Sequence, residues 1–121
     1  MREEPDKMIS VCTLKPESLD LVCEIVNQTI EIIGRKNIKY FHIGADEVFN
    51  IAACPSCSLF RAEASVQDLF CRFVRKVVKR LDKKHNSNSD DRIEFIVWDD
   101  MFRGWSPSSL EKLKIKNQNV V

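Results

Sequence analysis

An excess of charge of either sign is missing from this chain. Its 19 Lys and Arg face 18 Asp and Glu, giving a formal net charge of +1 at pH 7. No bulk field therefore draws it to nucleic acid or to an anionic membrane. No apolar run approaches the roughly 20 residues that a membrane span needs. The opening residues, Met1-Arg2-Glu3-Glu4-Pro5-Asp6-Lys7, are polar and acidic rather than those of a secretory signal. The five cysteines cannot all pair within the chain, and no secretory signal calls for a disulfide framework. If Met1 is the true start, a reducing cytoplasmic or nucleocytoplasmic location is expected.

What is present is globular composition, 44% hydrophobic and 31% charged. The 121 residues fit one domain. Residues 1–15 carry little periodicity, and Met8 to Val11 read as the tail of a strand. Pro16 and Glu17 look like the first turn of a helix. Leu19, Val22, Ile25, Val26, Thr29, Ile32 and Ile33 recur at helical spacing, and Gly34 is a natural stop. A strand then runs over 38–43. A loop from Phe49 to Ser58 precedes a second helix over about 61–84, with a stripe of Ala62, Val66, Leu69, Phe70, Phe73, Val74, Val77 and Leu81. Its other face, Arg72, Arg75, Lys76, Lys79 and Arg80, reads as solvated surface. The polar run His85 to Asp91 has no fold signal of its own. A second strand is expected over 93–98, then a short helix over 107–114 opened by Ser106-Pro107. Asn119-Val120-Val121 looks like the start of another strand.

This order is repeated βα, which predicts parallel strands joined by right-handed crossovers. Both strands run into acids: Asp46 and Glu47 after the first, Asp99 and Asp100 after the second. Acids at the ends of consecutive strands favour a barrel, which gathers site residues from the top of every strand. A barrel takes about 250 residues, so the sequence predicts a piece of a (β/α)8 TIM barrel.

The stretch that organises the rest is Tyr40-Phe41-His42-Ile43-Gly44-Ala45-Asp46-Glu47-Val48. An apolar strand enters a small-residue turn bearing adjacent carboxylates. His42-Ile43-Gly44-Ala45-Asp46-Glu47 resembles the H-x-G-G-D-E signature of glycoside hydrolase family 20, the β-N-acetylhexosaminidases. Trp98-Asp99-Asp100-Met101-Phe102-Arg103 resembles the W-D-D-M-x-R segment of the hexosaminidase D branch. The resemblance covers about Leu14 to Val121. It implies a single partial catalytic domain over 1–121, truncated at both ends, from about the third helix to the start of the sixth strand. One position departs: Ala45 stands where the family has a second glycine, and a left-handed backbone there would be costly.

The chemistry that the resemblance implies is release of terminal N-acetyl-β-D-hexosamine, GlcNAc or GalNAc, from a glycan or glycoconjugate. Most glycosidases flank the bond with two carboxylates, but neighbours in a regular strand point to opposite faces. The family's solution is substrate assistance: the 2-acetamido oxygen attacks the anomeric carbon. Glu47 would be the general acid and base, and Asp46 would hold the acetamido N–H. Trp98 would wall the acetamido methyl, His42 would orient the pair, and Asp99 would bind a hydroxyl or support the site. No cofactor, metal, nucleic acid or membrane is called for. Two alternatives stand beside this. One is a metal-dependent barrel with His42, Asp46, Glu47 and Asp99 around Mg²⁺ or Zn²⁺. The other is an inactive truncated hexosaminidase fragment. Cys54-x-x-Cys57 has a zinc-like spacing, but of Cys71, His42 and His85, the candidates to join it, none has suitable spacing. It reads as incidental.

Overall fold

The computed structural model describes residues 10–48, 50–88 and 90–113. The first helix, α1, is Pro16–Ile33, with Pro at its start and Glu17 in its first turn. It stops at Gly34, whose φ of 90° lies in the left-handed region and whose N–H reaches the Ile30 carbonyl at 2.9 Å. The buried face overlaps the expected one in part, at Val26 and the partly buried Leu19 and Val22. Ser18, Cys23, Val26 and Ile30 are buried, whereas Ile25, Ile32 and Ile33 are exposed. The line of Cys23, Val26 and Ile30 follows helical spacing, and α1 packs against the long helix described next. Apolar residues ring more than one side of α1, and only the partner decides which side is covered.

A turn of 3₁₀ helix, Arg35–Asn37, leads to strand β1, Tyr40–His42. Strand β2 is Glu94–Ile96 and pairs with β1 in parallel, with Phe41 opposite Phe95. Expected strands 38–43 and 93–98 are thus parallel neighbours, with shorter regular cores. Backbone bonds carry the pairing further at the C-terminal end. Ile43 N–H donates to the Ile96 carbonyl at 2.9 Å, and Trp98 N–H to that of Gly44 at 3.1 Å. Ile93, Phe95 and Val97 are buried between exposed Glu94 and Trp98, the alternation of a strand with one covered face. Val11 makes an isolated β-bridge. Met8, Ile9 and the expected strand start at Asn119 lie outside the described residues.

The connection between the strands is two helices, not one after a loop. Helix α2 is Pro55–Arg61 and helix α3 is Val66–Asn86. The expected single stripe breaks because Ser65 and Asp68 form a capping box that starts a new helix. Ser65 Oγ accepts the Asp68 N–H at 3.1 Å, and Asp68 Oδ2 accepts the Ser65 N–H at 2.9 Å. Such a cap contributes about 1 kcal/mol. Leu69, Phe70, Val74, Val77 and Leu81 are buried as expected. His85 and Asn86, expected in a structureless run, form the last turn of α3. Buried Asn86 then holds the chain's return. Its Nδ2 donates to the Ile93 carbonyl and its Oδ1 accepts the Ile93 N–H, each at 2.9 Å. Beyond β2, helix α4 is Pro107–Leu110, capped by Ser106 and continued by a 3₁₀ turn, Glu111–Leu113. No described helix is long and apolar enough to cross a membrane.

Candidate functional site

The segment after β1 leaves the extended conformation at once. Gly44, Ala45 and Glu47 have φ of 78°, 67° and 49°. The rule that strand neighbours point to opposite faces therefore does not govern Asp46 and Glu47; a left-handed turn orients them. Ala45 adopts the conformation that its methyl makes costly, by about 1–2 kcal/mol. Something must hold the turn in place.

The contacts that do so come from β1 and from the segment after β2. Gly44 N–H donates to His42 Nδ1 at 3.0 Å. Glu47 N–H donates to Asp100 Oδ2 at 2.9 Å, and Val48 N–H to Met101 Sδ at 3.3 Å. The His42 and Trp98 rings lie 4.6 Å apart, tilted by 46°. Parallel pairing thus places the two acid-bearing turns at the same end of the sheet and ties one to the other.

Asp46, Glu47, His42, Trp98 and Asp99 are all exposed. Trp98 is 55% accessible although its ring rests on His42. Asp99 faces a different partner. Arg103 donates to both of its oxygens, at 2.8 and 3.3 Å. Those bonds hold its carboxyl below the usual range. The Asp99 carbonyl also accepts from Phe102 and Arg103 N–H, so Asp99 organises the following turn. Asp100, named from the sequence as a strand-end acid but given no role in the site, is the acid that reaches the first turn. Its signal was there: Asp100 and Met101 belong to the same W-D-D-M segment as Trp98. Ile43, Ala45 and Val48 also line an apolar cavity of about 220 Å³, with Ser10, Thr13 and Phe73 among its other walls.

A metal centre of His42, Asp46, Glu47 and Asp99 finds no support in this geometry. Among the described residues, the trio whose donor atoms all lie within 4.8 Å of one another is Cys12, Cys54 and Cys57. Cys54 and Cys57, read from the sequence as incidental, are thus brought beside a third thiol. The third thiol comes from none of the expected residues but from Cys12, more than forty positions away, where no spacing rule could find it.

The family model described as glycosyl hydrolase family 20, catalytic domain, matches residues 2–121. No curated protein and no solved structure matches the chain.

Proposed function

From the premise that this chain belongs to glycosyl hydrolase family 20, whose catalytic-domain model covers residues 2–121, we propose that it carries the acid/base centre of a β-N-acetylhexosaminidase. The family makes it a glycoside hydrolase chain for hexosamine substrates. The finer reading is that it supplies about the third helix to the start of the sixth strand of a (β/α)8 barrel, of the hexosaminidase D branch. The barrel removes terminal N-acetyl-β-D-hexosamine from glycans or glycoconjugates.

Each step has a residue. Glu47 gives its proton to the glycosidic oxygen as the bond from that oxygen to the anomeric carbon breaks. The substrate's 2-acetamido oxygen forms the new bond to that carbon, giving an oxazoline-type intermediate with retention of configuration. Asp46 accepts the acetamido N–H and offsets the positive charge that grows there. Trp98 covers the acetamido methyl with an apolar face. Glu47, now a carboxylate, takes a proton from water, whose oxygen bonds to the anomeric carbon as the bond from that carbon to the acetamido oxygen breaks. His42 and Asp100 hold the turn; Asp99 serves the site through its own turn.

One observation supports this reading above the others. The parallel strands bring Asp46-Glu47 and Trp98-Asp99-Asp100 to one end of the sheet, joined by the bond from Glu47 N–H to Asp100. The metal-dependent alternative lacks a matching donor set.

The test is kcat/KM of the complete catalytic domain on aryl N-acetyl-β-glucosaminide and galactosaminide against plain β-glucoside. The N-acetyl substrates should be turned over and the plain glucoside should not, since it lacks the internal nucleophile. Glu47→Gln should lose about 10²–10⁴-fold, most for poor leaving groups. Asp46→Asn should slow all N-acetyl substrates through kcat more than KM. Comparable turnover of the plain glucoside refutes substrate assistance. Loss of activity in EDTA that Mg²⁺ restores moves the assignment to a metal-dependent barrel.

A further inference from the structure

Three thiols meet in the core, away from the acidic turn. Cys12 precedes α1, Cys54 is the residue before α2, and Cys57 sits in the first turn of α2. Cys12 and Cys57 are 0% exposed and Cys54 is 8% exposed. Cys12 Sγ lies 3.5 Å from Cys54 Sγ and 3.5 Å from Cys57 Sγ. All three sulfurs fall within 4.8 Å of one another.

Those separations are thiol–thiol hydrogen bonds, and they also come close to what a zinc ion requires. Zinc–thiolate bonds of about 2.3 Å at tetrahedral angles put sulfurs about 3.8 Å apart. A disulfide needs about 2.05 Å between two sulfurs and leaves the third with no role. Cys54-Pro55-Ser56-Cys57 also has the C-x₂-C spacing of zinc ligand pairs, which places two thiols on one side of a metal. We propose that Cys12, Cys54 and Cys57 bind a zinc ion as three thiolates, with an exogenous ligand such as water in the fourth position. On binding, each thiol releases its proton, so one Zn²⁺ replaces three H⁺ and the metal with its three sulfurs carries a net charge of −1.

The consequence is mechanical. Cys54 lies seven residues beyond Glu47, and the segment between them carries a strained residue, Ala52, at φ 68°. A zinc ion would fasten that segment and α2 to the residue that precedes α1. It would hold the exit of the acidic turn without touching substrate. Such a site is selective in a way that separates it from metal-assisted catalysis. Mg²⁺ prefers oxygen ligands and cannot replace zinc among thiolates.

The test uses the complete catalytic domain that contains this chain, reduced, stripped of metal and then given zinc alone. Elemental analysis should find one zinc per chain after gel filtration, and a pH indicator should record release of about three protons per zinc. Co²⁺ in its place should give a thiolate-to-metal charge-transfer band. Cys12→Ala, Cys54→Ala and Cys57→Ala should each weaken zinc binding by more than the roughly 10–100-fold that outer-sphere partners contribute. Cys23→Ala and Cys71→Ala should bind as the unmodified chain does.

A second measurement needs no variant and so survives any folding defect. Alkylation of the unmodified chain, mapped by peptide, should show zinc protecting Cys12, Cys54 and Cys57 far more than Cys23 and Cys71, which are shielded by burial alone. Equal alkylation with and without zinc overturns the proposal. So does zinc binding that survives loss of Cys12, or a disulfide among the three that persists in reductant.

Discussion

At the scale of single residues, the turn after β1 rests on a side chain from the other strand's end. Ala45 and Glu47 hold left-handed backbone angles, a conformation that residues with a side chain resist. Asp100 accepts the Glu47 N–H and so fixes the backbone that carries the proposed proton donor. Asp100 is a positioning residue, and its loss should show in geometry rather than affinity. Asp100→Ala should lower kcat of the complete domain about 10–100-fold, because small misplacements of a catalytic group cost about that much. KM should hardly change, and Asp100→Asn, which keeps an acceptor oxygen, should recover most of the loss. An Asp100→Ala enzyme with unchanged kcat would show that Glu47 needs no such support. That the acidic pair and Trp98 meet at one end of the sheet was legible, because each follows a strand in the repeated βα order. The division of labour between Asp99 and Asp100 was not, since adjacent acids look alike until their partners are known. Arg103 takes Asp99 and the Glu47 backbone takes Asp100.

At the scale of elements, the sequence carried what is local and lost what depends on a neighbour. Pro16 and Gly34 bound α1, and the buried stripe of α3 follows its helical period. The covered face of α1 was read only in part, since Val26, Leu19 and Val22 meet the core but Ile25, Ile32 and Ile33, equally apolar, do not. The break between α2 and α3 was missed because the stripe outweighed Ser65 as a start signal. The contact of α1 with α3 also carries a titratable group. His85 Nε2–H donates to Asn27 Oδ1 at 2.8 Å, while Arg35 donates to the His85 carbonyl. Burial, then the charges of Lys84 and Arg35, push the His85 pKa down from 6.5, with Glu31 opposing. A base with a lowered folded pKa binds fewer protons folded than unfolded, so acid favours unfolding. The His85 contribution is fully present above about pH 6.5 and is lost as pH falls through the folded value. Denaturant midpoints at about pH 7 and about pH 5 should therefore separate more for the unmodified chain than for His85→Gln. Equal separations would place the acid sensitivity elsewhere.

At the scale of the whole molecule, the described residues bury one layer of helices against a sheet of two strands. Two strands alone make a marginal sheet, and each offers backbone groups for further pairing. Large apolar side chains remain uncovered: Ile25 and Ile32 on α1, Leu59 on α2, and Tyr40 on β1, with Ile32 86% exposed. In a closed barrel, further βα units would pair the open edges and cover the flanking helices. Among the described residues no element covers these side chains, so other copies of the chain are the expected cover. The chain by itself should therefore self-associate, bind an apolar dye, and lose structure over a broad temperature range. Light scattering during gel filtration, dye fluorescence and a thermal melt measure these three properties. Zinc should sharpen the melt by fixing Cys12 to the α2 segment, but should leave association intact, because no exposed apolar residue lies among its ligands. A chain that runs as a monomer, binds no dye and melts in one sharp transition would show that these helices and two strands are a sufficient fold. The barrel reading would then lose its physical motive. Association that vanishes when the same residues are expressed within a polypeptide supplying further βα units would locate the missing cover in those units.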